Sequence, residues 1–387
     1  MTRVVRISLW IFVFLVPWEN VVVVPGLGTA AKLWGLATGL SGLFGVLAKG
    51  KLGYNAFLQA GLLFVVWGWA SVLWSIGPDL SLARMVTYTG LWLMTCLVYH
   101  YGRGAFVMHL LQAYVWGSWV AILGTIQGYM QGIEVVSQRF AAQGFNPSDL
   151  GFYLDLAIPI AAYVGFRAPT LAIKIPYLAC IPAALMAILL TASRAAVVGG
   201  AVGLLFVLYS LQTARWKWRL ATTVLLVAAT VLLLNWVPQT NLARIATIVP
   251  EIRGGTLNER LTIWAAGFHA FGSHPLWGVG AGAFRLAVEP ILGMGKAPHN
   301  VFLATAVEEG IVGLILWLLF VGMAFASVPR LPRHERWLWV VIFCVLTVAF
   351  LTGNPEWRKA TWLMLAFASA CSRPGMRKFD AVGEGSS

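Results

Sequence analysis

The feature that most constrains this chain is its division into long apolar runs. A helix needs about 20 largely apolar residues to cross the hydrocarbon of a bilayer, and twelve stretches of that kind follow one another, separated by charged or Pro/Gly-rich breaks. They cover residues 7–24, 29–48, 54–76, 83–101, 105–129, 149–166, 173–191, 195–211, 218–237, 299–326, 337–352 and 357–371. The first is interrupted by Pro17-Trp18-Glu19-Asn20, and only Ser193-Arg194 divides the seventh from the eighth. The chain is 59% hydrophobic and 11% charged, whereas an average soluble domain carries roughly 25% charged residues. With 27 basic and 14 acidic residues, a soluble chain of 387 residues could not cover the surfaces of its domains. The expected fold is an all-α polytopic integral membrane protein with about twelve transmembrane helices.

The net charge of +13 could suggest nucleic acid, but a phosphate-binding face needs clustered basic residues on a solvated domain, and no such block exists. The charge reads instead as topology. Arg3 and Arg6 precede an apolar run with no small-residue cleavage site, so the first span is expected to be uncleaved. With the N-terminus inside, sixteen basic and three acidic residues fall on the cytoplasmic side and the outer side is neutral, as the positive-inside bias demands. Both termini are then cytoplasmic. The chain divides into helices 1 to 9 over 1–237, an outer loop with an amphipathic helix over 238–298, helices 10 to 12 over 299–372, and a polar tail over 373–387. Cys96, Cys180, Cys344 and Cys371 have no paired spacing and read as small buried apolar residues.

Chemistry is concentrated on the outer side. In the long loop, Leu261, Trp264, Phe268 and Phe271 form a helical stripe that should lie on the membrane or cap the bundle, with Arg260 at its start. The glycines of Gly278-Val279-Gly280-Ala281-Gly282 lack the strand and helix of a phosphate loop and read as a tight packing turn. His299 stands where the tenth span begins. Glu308, nine residues on, is expected about 14 Å deeper on a similar face, where an ionisable group is a functional candidate by default. Gly310 and Gly313 should let a neighbouring helix approach. Arg194 interrupts an apolar stretch at the outer surface, to bind headgroups or to face a shared cavity.

These residues, taken in order, resemble the O-antigen ligase and polymerase superfamily. Ala70-Ser71-Val72-Leu73-Trp74-Ser75 with Pro78, then Arg139 through Gly144-Phe145-Asn146-Pro147-Ser148-Asp149, are similar to its early outer-loop signatures. Thr191-Ala192-Ser193-Arg194-Ala195 resembles its Ser-Arg-Gly element, with Ala195 in place of glycine. Arg260 to Trp264 and Pro275-Leu276-Trp277-Gly278-Val279-Gly280 resemble the long-loop signature, and His299-Asn300 with Leu303, Glu308, Gly310 and Gly313 is the most specific element. The resemblance implies a GT-C-class glycosyltransferase in the bacterial inner membrane. Such an enzyme moves a glycan from undecaprenyl pyrophosphate to a hydroxyl of lipid A-core or, in polymerases, of another lipid-linked glycan, on the periplasmic face. It makes His299 the candidate general base, Arg194 and Arg260 the pyrophosphate-binding pair, and Asn300, Glu308 and Arg139 supporting residues.

Those roles make chemical sense. A guanidinium binds phosphate oxygens bidentately and keeps its charge, a preorganised contact worth about 10²- to 10³-fold in rate. A neutral histidine titrating near ambient pH suits deprotonation of an alcohol, worth about 10²- to 10⁴-fold. Outer-side carboxylates are scattered, and Glu308 and Glu309 point about 100° apart on a helix, so the transfer is expected to use no metal and no cofactor, and direct displacement would invert the anomeric centre. Besides the donor glycan and acceptor, the expected partners are membrane lipids, and the expected state is a monomer or weak oligomer. A polysaccharide or lipid transporter would also have about twelve spans, but its polar residues should lie near midplane. Within the enzyme class the single long loop and short tail favour ligase over polymerase.

Overall fold

A computed structural model describes residues 2–26, 28–47, 55–102, 104–213, 216–255 and 259–372. Sixteen α-helices account for most of the described chain: α1 Thr2–Leu15, α2 Ala30–Leu47, α3 Ala56–Ser71, α4 Pro78–Tyr101, α5 Ala105–Met130, α6 Pro147–Arg167, α7 Leu171–Thr191, α8 Arg194–Thr213, α9 Trp216–Trp236, α10 Gln239–Ala246, α11 Ile248–Gly254, α12 Arg260–Ser273, α13 Phe284–Leu292, α14 Val301–Phe325, α15 Arg333–Thr352 and α16 Lys359–Cys371. The only sheet among the described residues is a two-stranded antiparallel pair, β1 Val23–Val24 with β2 Gly28–Thr29. Three helices begin at a side-chain cap: Asn55, Asn146 and Asn300 each accept a hydrogen bond from an orphan amide of the first turn.

Each of the twelve apolar stretches contains a helix, and eight helices among the described residues are long and apolar enough to cross a membrane. The ends of the chain fall short. α1 stops at Leu15, where Pro17 opens a single 3-10 turn, and α16 has 13 residues, all but its ends buried. The Ser193-Arg194 break is real: Ala192 turns left-handed at φ 47° to end α7, and α8 starts at Arg194. Lys49, Lys51, Arg103, Arg215 and the tail from 373, which carry part of the orientation argument, lie outside the described residues.

α6 is buried on every side from Leu150 to Gly165, and apolar there apart from Asp155 and the tyrosine hydroxyls. α7 and α8 pack on it, and α15 packs on both α6 and α8. A second bundle, α3, α4, α14 and α16, meets around Trp317, Phe320 and Trp362, with the Phe320 and Trp362 ring centroids 4.8 Å apart. Cys96 and Cys180 are buried as expected, whereas Cys344 faces outward; an apolar surface is where a bilayer tolerates a thiol.

α14 departs from the expectation of one continuous span. At Gly310 the backbone turns to φ 69°, ψ −173°, a region open almost only to glycine. The residues above the break, from Leu303 to Glu309, are inside protein, while Ile311, Ile315, Leu318 and Leu319 below it are exposed. The break opens the helix to the long loop. Val279 N–H donates to the Val307 carbonyl (3.0 Å) and Gly280 N–H to the Glu308 carbonyl (2.8 Å). Trp67 Nε1 donates to the Glu309 carbonyl (2.9 Å), and the freed Ile311 N–H finds the Pro275 carbonyl (2.9 Å). The groups released by the break are thus paired again, as burial requires.

Candidate active site

The glycine turn packs tightly, as its sequence suggests, but its partner is the broken helix. A Cβ on Gly310 would lie 2.1 Å from the Leu276 carbonyl oxygen, so it is loop backbone that approaches there; Gly313 does face a helix, with Trp67 of α3 against it. Gly280 lies against Ser75, and Ser71 Oγ accepts from Ala281 N–H at 3.1 Å. The 70–75 motif therefore supports the loop from below. Glu308 belongs to the same joint. Its carboxylate accepts from Gly282 N–H (2.8 Å) and Phe284 N–H (3.3 Å) and does not line the cavity around His299. The expected face shared by His299 and Glu308 is not formed, because Glu308 is drawn to the amides that open α13.

The stripe on α12 is also divided. The helix packs through Ile263, Ala266, Gly267 and Ala270, leaving Leu261 and Phe268 exposed, because small residues allow the closer approach. Trp264 lies between, and its Nε1 donates to the Pro298 carbonyl at 2.9 Å, which fixes the chain just before His299.

Arg260 opens α12 as expected and faces a cavity of about 660 Å³, into which Arg139, Arg194 and His299 also project. Four of the residues singled out in the sequence are thus brought together from the 131–146 connection, α8, α12 and the start of α14. Asn300 is the cap of α14 and receives Leu303 N–H at 3.1 Å; its part is to start the helix beside His299. Arg194 is held by Glu251 of α11 at 3.3 Å and by Thr247 Oγ1 at 3.1 Å. Arg139 donates from Nε to the Thr191 carbonyl (2.8 Å) and from Nη2 to Ser148 Oγ (3.2 Å).

His299, like Ala192 in the same wall, has a left-handed backbone. Its φ is 49°, uncommon for a residue with a Cβ, and its N–H donates to Asn354 Oδ1 at 2.9 Å. Loss of bulk hydration at the wall, with the positive charge of Arg260 and then Arg285, pushes the imidazole down to about 4. The ring is therefore neutral at ambient pH, and it titrates well below the near-ambient value expected from sequence. Burial likewise lowers Arg260, with Arg194 adding to it.

Sequence reasoning missed Asn354, although Gly353-Asn354-Pro355 is a turn signal on the same side of the chain. It also passed over Arg244, Arg285 and Arg358 as ordinary loop charges; all three line the cavity. Arg358 pairs with Asp149 and stacks 3.7 Å from the Trp357 ring centroid. Nearby, Arg84 reaches Glu356 at 3.1 Å, and burial, against the pull of Arg84, raises Glu356 to about 7. Among the described residues no group of three His, Cys, Asp or Glu is arranged to hold a metal ion.

The fold and the site together define an all-α polytopic membrane protein with an arginine-walled cavity at one mouth of its bundle. The sequence profile of a family described as O-antigen ligase matches residues 179–318, the stretch that holds Arg194, Arg260, His299 and the break in α14, and this match supports a likeness to the O-antigen ligase-like superfamily. The family carries activity of the O-antigen ligase or polymerase type. No curated protein matches the chain.

Proposed function

We propose that this protein is an O-antigen ligase-like glycosyltransferase of the GT-C class, with twelve spans, both termini in the cytoplasm and its cavity on the periplasmic side of the bacterial inner membrane. The observation that carries the reading is the convergence of Arg194, Arg260 and His299 from three elements on one cavity. The donor is a glycan on undecaprenyl pyrophosphate and the acceptor a hydroxyl of lipid A-core. The acceptor oxygen attacks the anomeric carbon, the carbon–oxygen bond to pyrophosphate breaks, and its electron pair leaves with the phosphate. Arg194 and Arg260 bind the charge that develops there, and the acceptor proton passes to His299. A one-step displacement inverts the anomeric centre and uses no metal, the arginines serving where a cation would.

Arg139 stands in the same wall, while Asn300 and Glu308 act at a distance, by starting α14 and by holding the loop. Anionic donor bound beside Arg260 and Arg285 would also cancel the charge that depresses His299, making it a stronger base once substrate is in place. A transporter is the weaker reading, because the core below the cavity is filled by Trp317, Trp339 and Trp362, all fully buried. Deletion of the gene tests the reading on a lipopolysaccharide gel. Loss of all O-chains with lipid-linked polymer accumulating is expected; core bearing a single repeat would mean polymerase, and unchanged glycans would end both.

A further inference from the structure

The cavity holds more positive charge than a pyrophosphate needs. Six arginines line it: Arg139, Arg194, Arg244, Arg260, Arg285 and Arg358. Arg194 is paired with Glu251 and Arg358 with Asp149, but among the described residues no carboxylate pairs with Arg139, Arg244, Arg260 or Arg285. A glycosyl diphosphate diester brings two negative charges, enough for the group around His299.

Arg139 and Arg244 form a separate group. Arg260 and Arg285 lie at the starts of α12 and α13, which pack on each other beside the Pro298-His299 segment, whereas Arg139 and Arg244 are carried by the 131–146 connection and α10, both bonded to the last turn of α7. The last carbonyls of that turn need donors, and the helix dipole attracts positive charge there. Arg139 Nε takes the Thr191 carbonyl. Asn241, buried one turn before Arg244 on α10, donates from Nδ2 to the carbonyls of Leu189 (3.3 Å) and Leu190 (3.0 Å). Phe140 N–H shares the Leu190 carbonyl at 3.0 Å. The anchors hold two like charges side by side: burial and the Arg244 guanidinium together push Arg139 down to about 10. Arg139 Nη1 has no hydrogen-bond partner among the described residues, and the Ser148 and Ser193 hydroxyls, 3.3 Å apart, lie beside it. An anchored guanidinium with a second, unpaired one close by, flanked by hydroxyls and facing a cavity, is complementary to an anion.

We infer that Arg139 and Arg244 form a second anion subsite, apart from Arg260 and Arg285 beside His299, that takes a phosphoryl or carboxyl group of the acceptor and so selects acidic acceptors. The inference rests on the glycosyltransferase reading for its acceptor, and on geometry alone for the anion.

The test is calorimetric titration of the full-length protein in phosphatidylcholine nanodiscs with inorganic phosphate, after saturation with inorganic pyrophosphate. One phosphate per chain is expected, weakened about tenfold or more in Arg244→Gln by loss of a charge-assisted contact and retained in Arg260→Gln, which loses pyrophosphate instead. The Arg244 side chain is exposed and makes no protein hydrogen bond or ion pair among the described residues, so its variant should fold where Arg139→Gln could fail. Phosphate that binds only by displacing pyrophosphate would overturn the subsite, as would an Arg244→Gln that weakens pyrophosphate as much as Arg260→Gln does. Pyrophosphate retained by Arg260→Gln would instead sink the donor-site reading and leave the subsite standing. In transfer assays, Arg244→Gln should raise KM for core acceptor and leave KM for donor unchanged; a rise in donor KM alone would show that the anion belongs to the donor glycan and overturn the assignment to the acceptor.

Discussion

Replacing Gly310 with alanine tests the joint on which the cavity is built. At φ 69° and ψ −173° a Cβ costs about 1–3 kcal/mol in backbone strain alone. The new methyl would lie 2.1 Å from the Leu276 carbonyl oxygen and 2.7 Å from the Trp277 nitrogen, which are backbone atoms that can yield only if the loop moves. That movement withdraws the Pro275 carbonyl from Ile311 N–H, and a buried donor left unpaired costs about 1–3 kcal/mol more. The whole penalty is about 2–6 kcal/mol. Gly322, on the same helix with open space around it, is the control, since alanine there should stabilise by about 0.5–1 kcal/mol. Thermal unfolding of the purified protein, followed by tryptophan fluorescence, should fall on the order of 10 °C for Gly310→Ala and hold or rise slightly for Gly322→Ala. Glycan transfer at low temperature should fall with the first and persist with the second. A Gly310→Ala protein that unfolds within about 2 °C of wild type would refute the account of α14 as a helix broken to receive the loop.

The remaining predictions concern the cavity. The depressed His299 leaves the folded protein binding fewer protons than the unfolded chain between its ordinary pKa of 6.5 and about 4, so stability present above that window is lost as pH falls through it. In kinetics, kcat/KM for the donor should stay level down to about pH 5 and fall near 4, with the kcat limb at higher pH because the bound anion cancels Arg260 and Arg285; a free-enzyme limb at its ordinary value would contradict the electrostatics. Asn354→Ala should lower kcat by about 10²-fold with donor KM nearly unchanged, by releasing the strained backbone of His299; full activity would remove Asn354 as a positioning residue. Glu251→Gln frees Arg194 from a partly exposed pair worth about 1 kcal/mol or less, so donor KM should drop by up to about fivefold. An increase would mean that Glu251 orients Arg194 for binding and does not compete with the donor.

α14 is only partly legible in the sequence. The 3.6-residue period and the apolar length of residues 299–326 announce a helix, and His299-Asn300 correctly mark its start. Nothing in that pattern reveals that Gly310 breaks it, because glycine is common in membrane helices and only the loop backbone lying against it requires its freedom. Glu308 misleads for the same reason. Spacing puts it on a helix face, but its partners, Gly282 and Phe284 N–H, come from more than twenty residues away in the chain.

The sequence by itself determined what depends on local composition: apolar runs long enough for a bilayer, the turn at Ser193-Arg194, the excess of basic over acidic residues, and the residue types able to bind a phosphate and move a proton. Tertiary structure alone decided which of these meet. Arg139, Arg194, Arg260 and His299 face one cavity because the connections carrying them fold over the same mouth, and Arg244, Arg285 and Asn354 join them by packing that no periodicity records. Side chains separated by a hundred residues acquire a shared field only when those contacts form, and so the pairing of charges, the depressed imidazole and the strain at His299 are properties of the fold.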